Sequence, residues 1–93
     1  MLYYVYMLLC EGDTFYTGYT KNPESRMELH KRGKGAKYTH LHRPKRLVYI
    51  EGHDSQSEAM RRERQIKKLT HCQKLKLVNS SASKTTKNYM NLF

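Results

Sequence analysis

A chain of 93 residues suits one small domain, excludes two, and can bury only a thin core. It carries 18 Lys and Arg against 8 acids, a net charge of +10, with eight tyrosines and no tryptophan. That balance points to a polyanionic partner, because cations displace counterions from phosphate, although a basic ribosome-associated or merely soluble protein has the same composition.

No stretch is long and apolar enough to span a membrane, and no long basic amphipathic helix offers itself to an anionic bilayer. Cys10 and Cys72 form neither a CxxC pair nor a disulfide framework. The apolar start lacks a basic leader and runs directly into Glu11-Gly12-Asp13. A reducing cytoplasm is therefore the expected location.

Residues 2–10 are aromatic, β-branched and aliphatic, which predicts a strand buried on both faces. Glu11 to Thr14 is a turn, and residues 15–19 form the second strand of a hairpin. Asn22-Pro23 is a helix start, with Asn as cap and Pro in the first turn. This helix is predicted over 23–32, ending at Gly33-Lys34-Gly35. Residues 33–45 are basic, rich in His and Tyr and poor in apolar side chains, and read as an ordered loop or a frayed segment. A third strand is predicted over 46–51. Ser55-Gln56-Ser57-Glu58 is a capping box that opens a helix over 56–69, followed by a shorter helix over 71–78 capped by Thr70. The fold expected is α+β, a three-stranded antiparallel sheet covered by helices in the order β-β-α-β-α-α. Residues 1–79 form the domain, and 80–93 a disordered or loosely attached tail.

Three groups of residues are candidates for chemistry. Ala59, Glu63 and Ile66 share one helical stripe, so the carboxylate needs either a basic neighbour such as Arg62 or Arg64, or a metal ion. Arg26 and His30 lie four apart and share a face, which is either solvated or functional. Tyr4, Tyr6, Tyr16 and Tyr19 crowd one hairpin; cross-strand aromatic pairing accounts for the rings, but each buried hydroxyl still needs a partner. Gly18 within a strand marks a close approach by a backbone or a ligand. The clustered histidines lack the paired Cys/His spacing of a zinc site.

Taken together, the spacing is specific. Tyr4-Val5-Tyr6 is followed by Tyr16-Thr17-Gly18, then Arg26, His30, and Ala59-x-x-x-Glu63 leading to Ile66-Lys67. This resembles the GIY-YIG nuclease superfamily over residues 2–78, and most closely the short bacterial proteins made of this domain alone, related to the catalytic domain of the excision-repair incision subunit. Three departures stand out: Tyr-Val-Tyr in the first motif, Thr17 for an aliphatic residue, and Tyr19 where some members carry a Lys. Lys21 is the candidate replacement for that last cation.

The resemblance implies a divalent-metal-dependent endonuclease, with Mg²⁺ or Mn²⁺ held by Glu63 and DNA favoured over RNA, in repair or processing. Tyr6, Tyr16, Arg26, His30 and Glu63 are then the catalytic set. Tyr16, its phenol drawn toward phenolate, would take a proton from the attacking water. Arg26 would clamp the phosphate, His30 would orient Tyr16 or relay its proton, and Tyr6 would hydrogen-bond the phosphate or the metal's water. Substrate contacts are expected from Gly18, Lys21, Lys34, Lys37, Tyr38, Arg43 and Lys67, on a basic face that also holds Lys31, Arg32, His40, His42 and Lys45. A lone domain of this kind would draw specificity from a protein partner. The competing readings are a nucleic-acid-binding module without cleavage and an assembly protein of a ribonucleoprotein.

One geometric condition follows. Tyr6 and Tyr16 must leave the same face of the sheet. A two-residue turn pairs Cys10 with Phe15 and separates them, whereas a three-residue loop pairs Cys10 with Thr14 and joins them. An odd-length loop or a bulge is therefore expected.

Overall fold

A computed structural model describes residues 2–80. The elements in chain order are β1 (Tyr3–Cys10), β2 (Thr14–Thr20), α1 (Pro23–Lys31), α2 (Lys37–Leu41), β3 (Pro44–His53), α3 (Gln56–Lys67) and α4 (His71–Ser80). The three strands form one antiparallel sheet in the order β2-β1-β3. β1 is central because it is apolar on both faces, as its unbroken hydrophobic run requires. Val5 and Met7 pack on one side with Val48, Tyr49 and the α3 residues Ala59 and Ile66; Leu77 and Val78 of α4 lie at the margin. Tyr6, Leu8 and Cys10 pack on the other side with Leu47, Ile50 and Met27 of α1. The sheet is thus covered by helices on both faces, an α+β fold as expected.

The hairpin meets the geometric condition. Cys10 pairs with Thr14 across the three-residue loop Glu11-Gly12-Asp13. Gly12 and Asp13 take positive φ, +78° and +55°, a conformation open to Gly and tolerated by Asp. Tyr6 then faces Gly18, and Leu8 faces Tyr16. With a side-chain period of two, Tyr6, Tyr16 and Gly18 share the α1 face of the sheet.

Helices α1 and α3 open as their sequences dictate. The Asn22 Oδ1 accepts from the Ser25 N–H at 3.1 Å, and the Ser55 Oγ accepts from the Glu58 N–H at 3.2 Å. The segment 33–45 departs from expectation, since its centre is the helix α2 rather than a loop. Five residues are too few to display an apolar period, and the cap position, Ala36, supplies no side-chain hydrogen bond. The buried Thr39 holds this turn by donating to the Ala36 carbonyl at 3.2 Å, while Tyr38 packs on the core. α4 runs to Ser80, and the tail expected beyond it, residues 81–93, lies outside the described residues.

Candidate active site

The site is built around a buried polar chain. Tyr6, 1% exposed, lies with its hydroxyl 2.7 Å from Nε2 of His30, which is fully buried. The other ring nitrogen of His30, Nδ1, lies 2.8 Å from the Thr39 Oγ1. Thr39 has one hydroxyl proton and gives it to the Ala36 carbonyl, so toward His30 it can only accept. The proton of His30 therefore resides on Nδ1, its Nε2 is an acceptor, and Tyr6 donates to it. Burial, with the nearby Arg26 charge, brings the His30 pKa down to about 4, consistent with a neutral ring. Burial, followed by the adjacent Tyr16 phenol, holds Tyr6 far above the ordinary phenol range.

Tyr16 completes a three-ring cluster. Its centroid is 6.2 Å from that of Tyr6 and 5.3 Å from that of His30. His30 thus hydrogen-bonds Tyr6 and meets Tyr16 only edge to face, so it orients the first-motif tyrosine rather than the second as the sequence implied. The expectation that the Tyr16 phenol is drawn toward phenolate also needs correction. Burial pushes its pKa up; Lys67 and Arg26 pull it down only in part, and the Glu63 charge opposes them.

Glycine is required at two places by crowding. A Cβ on Gly18 would lie 2.7 Å from the Tyr6 hydroxyl oxygen and 3.0 Å from Cε2 of Tyr16. A Cβ on Gly35 would overlap the His30 ring. The close approach read from Gly18 is therefore made by the two catalytic-motif phenols. Gly35, read from sequence as part of a helix stop, also forms a wall of the site.

Tyr6, Tyr16, Gly18, Lys21, Arg26 and Glu63 all line one open cavity of about 550 Å³ at the β2 edge of the sheet. The half-buried Arg26 directs Nη1 at the Gly35 carbonyl, 3.4 Å away. Glu63 lies on the stripe between the buried Ala59 and Ile66, and its carboxylate is 3.1 Å from the Lys67 Nζ one turn on. Its basic neighbour is thus Lys67 and neither Arg62 nor Arg64. Arg62 serves another carboxylate: its Nε lies 3.1 Å from both oxygens of Glu51, which also accepts from Tyr49 and pairs with His53. Burial works against the Glu51 charge, but these hydrogen bonds hold its carboxyl below the ordinary value.

The remaining candidates lie apart from this cavity. Tyr38 stacks on Tyr16, with centroids 5.9 Å apart and planes at 25°, and carries His42 at 4.5 Å on the exposed side. Arg43 borders a second, smaller cavity of about 190 Å³ behind His30, with Lys31, Arg32 and His40. Lys34 and Lys37 are exposed between α1 and α2 and at the start of α2. Thr39 was not foreseen. The only signal for it is general: a buried His that accepts from one group needs an acceptor for its other N–H.

A lone carboxylate in a wide, open cavity suits a hard cation that keeps most of its waters, as Mg²⁺ does. Among the described residues, no three His, Cys, Asp or Glu side chains gather into a denser ligand set. Glu63 is the residue that would hold such an ion.

Residues 2–76 match the family described as the GIY-YIG catalytic domain. The chain belongs to that family. It is 53% identical to a UPF0213 protein of Staphylococcus haemolyticus, across 82% of this chain and 93% of that one. It is 48% identical to a UPF0213 protein of Clostridium perfringens, across 87% of each. The solution NMR structure of a UPF0213 protein from Bacillus halodurans is 38% identical, covers 98% of both chains and superposes with a TM-score of 0.58. No helix among the described residues is long and apolar enough to cross a membrane.

Proposed function

We propose that this protein is a divalent-metal-dependent endonuclease that hydrolyses phosphodiester bonds in nucleic acid, DNA in preference to RNA, in DNA repair or processing. The observation that carries this reading is the convergence of Tyr6 from β1, Tyr16 from β2, Arg26 from α1 and Glu63 from α3 on one cavity. A core has no need to gather two phenols, a guanidinium and a carboxylate at one sheet edge. Specificity would come from a protein partner.

In this reading Glu63 holds Mg²⁺ or Mn²⁺. The bound ion supplies Lewis-acid polarisation of the phosphate and acidification of a water. Arg26 sets its guanidinium against the phosphate oxygens as charge builds on them. Of the two phenols, Tyr16 is the proton acceptor, because the Lys67 and Arg26 charges offset part of the rise that burial causes, whereas Tyr6 is held far above the phenol range. Tyr6 cannot share that role while its proton is committed to His30; its oxygen lone pairs position the attacking water. Lys67 is 52% exposed and can leave Glu63 for a phosphate at little cost.

The Glu63–Lys67 pair is also what a non-cleaving nucleic-acid-binding module would contain, so the test must separate the two. Purified protein is incubated with single-stranded, duplex and branched DNA and RNA, with Mg²⁺ or Mn²⁺, beside Glu63→Ala. Metal-dependent cutting lost in the variant supports the nuclease. Equal binding by both proteins with no cutting supports the module.

A further inference from the structure

The catalytic set occupies one half of the cavity. The other half lies across the β2 edge and has a different chemistry. Tyr19 pairs with Val5, so Tyr3 and Tyr19 rise from the α3 face of the sheet, opposite to Tyr6 and Tyr16, yet both line the same cavity. The cavity therefore extends across β2, whose Gly18 is part of its lining. Tyr3 and Tyr19 are half-buried against the core beneath α3, which fixes their rings. Gln56, the first residue of α3, donates its Nε2–H to the Tyr19 hydroxyl at 3.3 Å. Its amide carries a second donor hydrogen and an acceptor oxygen. The Lys21 ammonium rests 5.4 Å from the centre of the Tyr3 ring.

We infer that this half of the cavity is a subsite for an unpaired nucleobase, adjoining the phosphate to be cut. The inference rests on the nuclease reading and names its substrate class, nucleic acid that is single-stranded or locally unpaired at the cut. The space is one reason. About 550 Å³ is far more than one phosphate fills, and it falls within the roughly 300–1,000 Å³ of sites that hold small organic ligands. The lining is another. Fixed aromatic rings stack on bases of any sequence, and an amide hydrogen-bonds their edges. Lys21 is exposed and, among the described residues, held by a weak cation–π contact, so an arriving phosphate draws it away and uncovers the Tyr3 ring. The recess itself sets the strandedness. A base stacked within a duplex cannot enter it without leaving its neighbours, which costs energy that a single strand does not spend.

The test maps cut positions on end-labelled single-stranded DNA with Mn²⁺, using a set of oligonucleotides in which one abasic residue steps along the strand. If a base fills the subsite, cutting falls at one fixed offset from the abasic position, by at least about fivefold, the lower end of what base–aromatic stacking gives. Tyr19→Leu should weaken cutting overall and even out the ladder, and Gln56→Ala provides a second variant should Tyr19→Leu fold poorly. Fully paired duplex should be cut more slowly than either strand alone. Uniform cutting around the abasic residue, or duplex cut as fast as single strand, overturns the subsite and leaves the nuclease reading standing. No metal-dependent cutting of any substrate overturns both.

Discussion

Replacing Thr39 by Val removes the acceptor that fixes His30 while nearly preserving side-chain shape. The buried Nδ1–H then faces a methyl group, and leaving a buried donor unpaired costs about 1–3 kcal/mol. The hydroxyl's bond to the Ala36 carbonyl is lost as well, but that carbonyl still accepts from the His40 N–H, so this adds little. A net loss of roughly 2 kcal/mol lowers the Tm of a domain this size by about 8–16 °C. The consequence for catalysis is separate. Freed from Thr39, the imidazole can move its proton to Nε2, where it no longer accepts from Tyr6. Turnover should fall by more than the loss of folded protein accounts for, and Thr39→Ser, which keeps the hydroxyl, should restore most of both properties. Denaturant unfolding measures the first effect, single-turnover cleavage the second, and long-range ¹⁵N–¹H correlation of the His30 ring reports the tautomer directly. Protonated Nε2 in the unsubstituted protein would refute the reasoning, as would a Thr39→Val penalty under about 0.5 kcal/mol, since a donor buried without a partner must cost more than that.

Thr17→Val should stabilise the protein. Thr17 is 3% exposed and its Oγ1 has no hydrogen-bond partner among the described residues, so trading the hydroxyl for a methyl recovers about 1 kcal/mol, read as a higher denaturation midpoint with an unchanged slope. Gly18→Ala should cost about 1–3 kcal/mol and abolish cleavage, because its Cβ meets the Tyr6 hydroxyl oxygen at 2.7 Å and the phenols must separate to admit it; thermal melting and a cleavage assay check both effects. The pH dependence of stability should carry the His30 signature. Its folded pKa, about 4, lies below the ordinary 6.5, so the unfolded chain takes the proton first and stability falls as pH drops from about 6.5 toward 4. The full difference amounts to about 3 kcal/mol, and urea midpoints at stepped pH should show it flat above that window. The Glu51 carboxyl, held below its ordinary 4.5, contributes its own loss at lower pH, so the two windows can be separated.

What the sequence makes legible here is what local chemistry encodes. Asn22-Pro23 and Ser55 through Glu58 start helices where the residues say, because a cap is a contact between near neighbours. The run of residues 3–10 forms the central strand, because its apolar pattern admits no solvated face. Even the loop length of the hairpin follows, once Tyr6 and Tyr16 are required to meet. Sequence fails where a contact is made across space. Nothing in positions 30, 35 and 39 says that a threonine and a glycine close around a histidine, and the short helix that brings them there has neither period nor cap. The pairing of Glu63 with Lys67 rather than with Arg62 or Arg64 is local, since residues four apart share a helix face and adjacent ones do not, but which way that face turns is settled by the long-range clamp of Arg62 on Glu51.

The clamp explains a division of labour along α3. Arg62 is held by both oxygens of Glu51, and Glu51 is further held by Tyr49 and His53 on β3. Charge-assisted bonds of this kind fix the rotation of the helix about its axis. The next residue, Glu63, then projects into the cavity without needing a tight partner of its own. Among the described residues its one ion pair is with a half-exposed lysine one turn away, a contact worth about 0.3–0.5 kcal/mol. A carboxylate that must exchange its partner during a reaction is best placed by neighbours that bind something else. On α3 the strong ion pair falls at position 62, outside the cavity, and the weak one at position 63, inside it. The helix is thus anchored where it is inert and left labile where it would meet substrate.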